Sequence, residues 1–184
     1  MKENINSRIL WNEAGKAGIV LGGVVIIYSL LVSAASRFLG GLPADILAFL
    51  LWMLKFGGCL YLMRFFLVRL GRQYDGVSNR TAFSYGVRIA LLSALVCSAY
   101  ALSDAILHPE TVEQAFDLVR SQLSEMNMLD SNSLSAMEQL ERSYPAYMFF
   151  TQLIYCFLFG TVLAKIYSSR FPQADPFGEP GDKN

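Results

Sequence analysis

Residue types able to carry chemistry are few in this chain, and they are scattered. The sequence holds one histidine, His108, and three cysteines, each inside an apolar run: Cys59, Cys97 and Cys156. A metal site needs several such ligands at close spacing, and an odd number of separated cysteines predicts neither a zinc site nor a disulfide framework. We interpret the cysteines as small buried apolar residues and His108 as a helix-end residue. No phosphate-binding glycine loop, nucleophile elbow or HExxH motif occurs. The sequence therefore predicts no enzyme, no cofactor and no metal site.

Two ionisable residues in apolar surroundings form the first candidate site, an intramembrane polar site of Lys55 and Asp104. A charge near mid-membrane costs roughly 2.5–3.5 kcal/mol on insertion scales, which marks such a residue as a functional candidate with a partner. The candidate partners of Lys55 are Asp104 and backbone carbonyls freed beside Gly57 and Gly58. Alternatively, Lys55 snorkels or faces a wet crevice in the bundle. Its distance of about 15 Å from the nearer span end exceeds easy snorkelling reach.

A basic segment between two of the apolar runs is the second candidate site. It carries five arginines against a single acid, Asp75, and these are Arg64, Arg69, Arg72, Arg80 and Arg88. Arginines beside a membrane contact anionic lipid headgroups, each contributing about 1 kcal/mol near the surface. The bias of Lys and Arg toward the cytoplasmic side explains the same cluster without any specific binding.

Long apolar runs are the elements that must position these residues. The chain is 54% hydrophobic and 16% charged with a mean hydropathy of +0.38, whereas globular chains carry roughly 25% charged residues. The fold class predicted is all-α: a polytopic membrane protein with a four-transmembrane-helix bundle and one or two amphipathic extracytoplasmic helices. We place the spans at about 14–36, 44–68, 83–107 and 146–168. The first run also resembles a signal peptide, but its length favours a retained anchor.

Small residues four apart in the first span, Gly18 and Gly22, allow close helix contact with another helix of the chain or with a second copy. Of the two, contact within the chain is the simpler prediction.

Charge is distributed unevenly along the chain. Residues 104–143 hold eight acids and two bases, a net charge of −6, which leaves +6 for the remainder. We predict an amphipathic helix beginning at Pro109 and a second short helix at 133–142, within an outer segment at 108–143. Bases near the span ends predict that both termini lie in the cytoplasm and that residues 104–143 lie outside. Residues 1–13 are then a cytoplasmic N-terminus, and 171–184 a disordered cytoplasmic tail.

Three short motifs resemble a known family of small four-span bacterial membrane proteins, domain of unknown function 4199. They are Arg64-Phe65-Phe66, Tyr74-Asp75-Gly76-Val77-Ser78 and Ala82-Phe83-Ser84-Tyr85-Gly86, with His108-Pro109 as a weaker point. The resemblance implies a bacterial inner-membrane protein and brings no activity with it. Family members are often encoded near a polyprenyl-phosphate glycosyltransferase, so the resemblance suggests such an enzyme as a partner.

The function expected is that of an accessory or scaffold protein that assembles with another envelope protein. The alternative is a small transporter or lipid-handling protein that uses Lys55. Expected partners are membrane lipids, another membrane protein or a second copy, and no nucleic acid.

Overall fold

Five helices make up almost all of the described chain. The computed structural model describes residues 3–4, 6–38, 42–126 and 130–172. Its helices are α1 (Ser7–Phe38), α2 (Leu42–Gln73), α3 (Asn79–Leu107), α4 (Pro109–Glu125) and α5 (Ser131–Ser168). Two-residue strands, β1 (Glu3–Asn4) and β2 (Tyr74–Asp75), pair in parallel. The predicted all-α bundle is confirmed.

Four of these helices are long and apolar enough to cross a membrane: α1, α2, α3 and α5. Their outer surfaces carry large apolar side chains, for example Leu54, which is 71% exposed on α2. Large apolar surfaces of this kind mark contact with a membrane or with another protein, and on helices of spanning length they indicate lipid. The chain is therefore a multi-pass membrane protein. We call the end of the bundle that holds the α2–α3 connection the basic end, and the end that holds α4 the acidic end.

Close contact between helix backbones places α3 at the centre of the bundle. A Cβ atom added to Gly86 of α3 would lie 2.6 Å from the Cβ of Ala164, and one added to Gly160 of α5 would lie 2.6 Å from the Cβ of Ala90. The two pairs are reciprocal: each helix supplies a glycine and, four residues on, an alanine. In lipid, helix association depends on such close packing, because the hydrophobic effect does not drive it.

The Gly18–Gly22 pair of α1 packs on the same central helix. Added Cβ atoms would lie 2.7 Å from the Leu92 Cβ and 2.8 Å from the Val96 Cγ1. The contact is therefore within the chain, the simpler of the two predictions. Two other glycines of α1, Gly15 and Gly23, have open space beside them, since nothing lies within 4 Å of an added Cβ.

Buried side chains lie almost entirely in the half of the bundle near the basic end. On α2 they are Met63, Leu67 and Leu70, and on α3 they end at Ser98. The basic end is also closed by short contacts after α5. The Phe171 ring lies over Gly71, and the Asn79 amide donates to the Pro172 carbonyl at 2.8 Å. The half near the acidic end is packed less tightly.

Several helices extend beyond the predicted spans, and one predicted helix is not separate. Helix α2 continues to Gln73 and α3 begins at Asn79, so the basic connection is shorter than expected. The predicted helix at 133–142 is the first part of α5, which contains Pro145 in its interior. Proline removes one helical hydrogen bond but does not always end a helix. One separate amphipathic helix, α4, therefore lies outside the spans among the described residues.

Parts of three predictions lie outside the described residues. These are the disordered tail beyond Pro172, residues 1, 2 and 5 of the N-terminus, and residues 127–129 of the outer segment. Within the N-terminal segment predicted to be cytoplasmic, α1 already begins at Ser7.

We predict that Gly160→Ala destabilises the protein by about 1–3 kcal/mol, because the new methyl group overpacks the backbone contact with Ala90. Thermal unfolding in a mild detergent measures the change. Gly23→Ala is the matched control, since its added Cβ meets nothing within 4 Å, and it should be neutral or slightly stabilising. Equal melting temperatures for the two variants would contradict the central role of the α3–α5 contact.

Candidate functional site

A half-open cavity of about 720 Å³ lies between α1, α3 and α5 in the half near the acidic end. Its lining follows α3 from Cys97 to His108, which is about 16 Å along the helix axis. Thr111, Val112 and Ala115 of α4 form its roof. No described residue of α2 lines it. A cavity of this size is within the range of pockets that hold small ligands.

The wall that α5 contributes explains why the cavity exists. Tyr144, Met148 and Gln152 line it, at steps of four residues along one face. The same face continues through Cys156 to Gly160, where α3 and α5 touch. Side chains on this face are thus small near the basic end and large near the acidic end. The large ones hold the two helices apart, and the space between them is the cavity.

The outer part of the cavity carries an acid and the lone histidine. The Asp104 carboxylate lies 3.3 Å from Nδ1 of His108, one helical turn further on, and both side chains are about half exposed. His108 also ends α3 and precedes α4, and the hydroxyl of Thr111 donates to its carbonyl at 2.6 Å. Among the described lining residues, Asp104 is the acid of the cavity, and none is a lysine or an arginine.

One thiol, that of Cys97, lines the inner part of the cavity, and that of Cys156 lies beyond it on α5. The Cys97 thiol points toward the Gly22 carbonyl at 3.9 Å, and the amide of Gln152 donates to the Cys156 sulfur at 3.1 Å. The two thiols interact with each other across the α3–α5 contact. All three cysteines are free. Cys97 is buried, as expected of a small apolar residue, while Cys59 and Cys156 are half-buried. Among the described residues, no three or more His, Cys, Asp or Glu side chains are grouped so as to hold a metal ion.

Lys55 and Asp104 are not brought together. The Lys55 ammonium lies 4.2 Å from the centroid of the Tyr28 ring on α1, and no described ion pair joins it to an acid. Attraction to a ring face stabilises a cation by about 0.5–2 kcal/mol, more when it is desolvated. The helix also runs unbroken through Gly57 and Gly58, so their neighbourhood frees no backbone carbonyls for Lys55. The partner of Lys55 is the Tyr28 ring, which the sequence analysis did not identify.

Three of the five arginines lie together, and two lie elsewhere. Arg64, Arg69 and Arg72 line a second, shallow cavity of about 600 Å³ on the exposed surface of α2. Arg80 is exposed on the first turn of α3, outside this lining. Arg88 faces the bundle, with its guanidinium carbon 4.8 Å from the centroid of the Trp11 ring. Its Nη1 atom is buried and has no hydrogen-bond partner among the described residues. Helix α3 turns this side chain toward α1 and away from the groove on α2, and the contact of Arg88 with lipid headgroups stays a prediction.

The roof is attached to α5 by a ring contact and an ion pair. Phe116 packs edge-on against Tyr144, with ring centroids 5.6 Å apart. Arg120 binds Asp117 on its own helix and Glu141 on α5. These hydrogen bonds, the one to Asp117 first, raise the pKa of Arg120 above its ordinary value. No residue of α4 is buried, so these few contacts hold the roof in place.

Several lining residues were missed by the sequence analysis, although a signal for them exists. Tyr100, Asp104 and His108 recur at steps of four on one face of α3, as do Tyr144, Met148 and Gln152 on α5. Polar residues at helical spacing inside apolar runs predict a shared polar face. The sequence does not tell which two helices turn such faces toward each other.

No family model, no curated protein and no solved structure matches this chain. The resemblance to domain of unknown function 4199 therefore stays a prediction. Function has to be inferred from the geometry.

We predict that the first turn of α5 frays at low pH. The Asp130 carboxylate accepts from the Ser133 amide at 2.7 Å in a capping box, and this bond lowers the pKa of Asp130 below its usual 3.8. A lowered pKa means that stabilisation is complete above pH 3.8 and is lost as the pH falls through the folded-state value. Amide hydrogen exchange at residues 132–135 measures it. Asp130→Asn, which caps without titrating, should show no such pH dependence, and a dependence unchanged in this variant would contradict the assignment.

Proposed function

We propose that this chain is a small lipid-handling or transport protein of the bacterial inner membrane, without a catalytic step or a cofactor. The observation that carries the proposal is the cavity near the acidic end. It is lined by three membrane-spanning helices, roofed by α4, and polar along part of an otherwise apolar wall. A cavity of this composition accommodates an amphipathic molecule, because the apolar part of the ligand and its polar head each find matching side chains.

Charge narrows the class of ligand. The described lining contains the carboxylate of Asp104 and neither lysine nor arginine, and the roof belongs to the segment of net charge −6. An anionic head would be repelled by this surface, whereas an ammonium head would be attracted. We therefore propose a lipid with an amine-bearing head, such as one with an ethanolamine headgroup, bound with its amine near Asp104.

The side of the membrane on which the cavity lies follows from the proposed topology. The bases near the span ends lie mainly at the basic end, which supports cytoplasmic termini and an extracytoplasmic acidic end. The cavity then belongs to the outer leaflet side of the inner membrane. This version of the lipid-handling proposal places the ligand at Asp104 rather than at Lys55, because Lys55 is outside the lining and is already paired with Tyr28.

The test uses a photoactivatable phospholipid with an ethanolamine head, added to the full-length protein in lipid nanodiscs. We expect crosslinks on the cavity walls, and we expect Ala105→Trp to remove them by filling the space. Ala99→Trp is the matched control, since Ala99 is exposed on the same helix outside the lining, and it should leave crosslinking unchanged. Asp104→Asn should reduce the preference for ethanolamine over glycerol heads. Crosslinks that survive Ala105→Trp would contradict the proposal.

A second proposal is that the protein is an accessory or scaffold subunit for another envelope protein, and α4 supports it. This helix has no buried residue, and Leu118, Val119 and Met126 are 60%, 45% and 59% exposed. The acidic charge of this helix disfavours contact with anionic lipids, so its exposed apolar side chains need another partner. They fit a protein partner with an apolar patch and a basic rim, for which the resemblance suggests the glycosyltransferase. A second copy of the chain is the other candidate.

A single labelling experiment tests both the topology and this partner. Ser121→Cys on α4 and Ser169→Cys at the basic end are both exposed positions. A membrane-impermeant maleimide that carries a photo-crosslinker should label intact cells only through Ser121→Cys. Illumination should then yield one defined protein adduct. Labelling through Ser169→Cys would contradict the topology, and the absence of any adduct from Ser121→Cys would contradict the accessory function.

A further inference from the structure

The groove on α2 that is lined by Arg64, Arg69 and Arg72 stands apart from the cavity, and all its described lining residues belong to one helix. Tyr61, Phe65, Val68 and Gln73 complete it. The groove is thus an exposed surface of a membrane-spanning helix near the basic end. A ligand of this groove therefore reaches it from the surrounding lipid.

Depth in the membrane places the groove at the level of lipid headgroups. Arg64 follows Asp45, which is in the first turn of α2, by 19 positions, and this is about 28 Å of helix. The hydrocarbon core of a bilayer is about 30 Å thick. With Asp45 at one boundary, Arg64 reaches the other, and Arg69 and Arg72 lie about 8 and 12 Å beyond Arg64 along the axis. The aromatic side chains of Tyr61 and Phe65 stay at or within the hydrocarbon boundary, where aromatic rings are favoured.

In the part of the chain that the structure describes, no acid neutralises the three guanidinium groups. None of the ion pairs among the described residues includes Arg64, Arg69 or Arg72, and the lining contains no Asp or Glu. Cations this close on one helix repel one another. By contrast, Arg88 and Lys55 each lie against an aromatic ring. The groove arginines are therefore the ones available to an external anion.

We propose that this groove binds an anionic phospholipid whose head carries two phosphate groups, from the leaflet at the basic end. Guanidinium groups bind phosphate oxygens in a bidentate way. Arginine side chains are long and flexible, so the three guanidinium groups can converge at one depth of the membrane. Each guanidinium has five N–H donors, and three of them offer more donors than the two free oxygens of one phosphodiester can accept, whereas two phosphates joined by a short linker match them better. The acyl chains then lie along Phe65 and Tyr61 toward the middle of the membrane. This proposal is independent of the cavity and of the direction in which the protein is inserted.

Native mass spectrometry of the full-length protein, released from detergent micelles doped with defined lipids, tests the proposal. The probes are diphosphatidylglycerol, with two phosphates, and phosphatidylglycerol, with one, supplied at equal total phosphate. We expect the two-phosphate lipid to be retained preferentially. The combined variant Arg64→Gln, Arg69→Gln and Arg72→Gln should bind it about tenfold more weakly.

The matched control changes the charge equally at the same end of the bundle, with Arg8→Gln, Lys16→Gln and Arg170→Gln. All three are exposed and outside the groove. This variant should retain the lipid preference. Equal weakening in both variants would overturn the proposal in favour of a diffuse basic surface, and equal retention of both lipids would overturn the two-phosphate assignment. Displacement of the lipid by an equal concentration of inorganic diphosphate would overturn the assignment to a lipid.

Discussion

The contact of α3 with α5 through two reciprocal glycine–alanine pairs is the constraint on which the rest of the structure depends. Lipid tails are as apolar as leucine, so helices gain nothing from merely burying apolar side chains against each other. They gain from dispersion contacts between surfaces that approach closely, and only small residues permit the approach. Gly86 and Gly160 provide it for α5, as Gly18 and Gly22 do for α1. Helix α3 is therefore the axis of the bundle, and α2, which has no such contact with it, lies at the periphery.

The same constraint produces the cavity. Close contact is confined to the half near the basic end, because the α5 face that carries Gly160 and Ala164 carries Gln152, Met148 and Tyr144 further along. Antiparallel helices fixed at one end and kept apart by large side chains at the other must enclose space between them. Because the side chains that hold the helices apart include polar ones, that space is partly polar. The close contact of α3 with α5 and the cavity beside it thus both follow from the residues that recur every four positions along one face of α5.

The spans could be predicted from the sequence because they depend on apolar length alone. Their ends could not, since arginines and prolines were read as boundaries. Arg69 and Arg72 extend α2 into the headgroup region, and Pro145 lies within α5 because the capping box at Asp130 starts that helix earlier. Lys55 and Asp104 were identified as unusual, but their partners depend on how each helix is rotated about its axis. The rotation of each helix is set by the small-residue contacts of α3. The residues that neighbour Lys55 and Asp104 in the sequence do not determine it.

The positive charges of the membrane-spanning helices fall into two groups. Those of the first group are stabilised by aromatic rings within the protein, and those of the second group are left for a ligand. Lys55 and Arg88 lie against the rings of Tyr28 and Trp11, so their desolvation is offset within the protein. Among the described residues the groove arginines have no such partner, and the described lining of the cavity near the opposite end holds an acid but no lysine or arginine. A surface left with uncompensated charge of one sign favours ligands of the other sign. The two ends of this bundle should therefore select lipid heads of opposite character. That separation follows from the segregation of charge along the chain, in which the acidic segment joins the third and fourth spans and the arginines join the second and third.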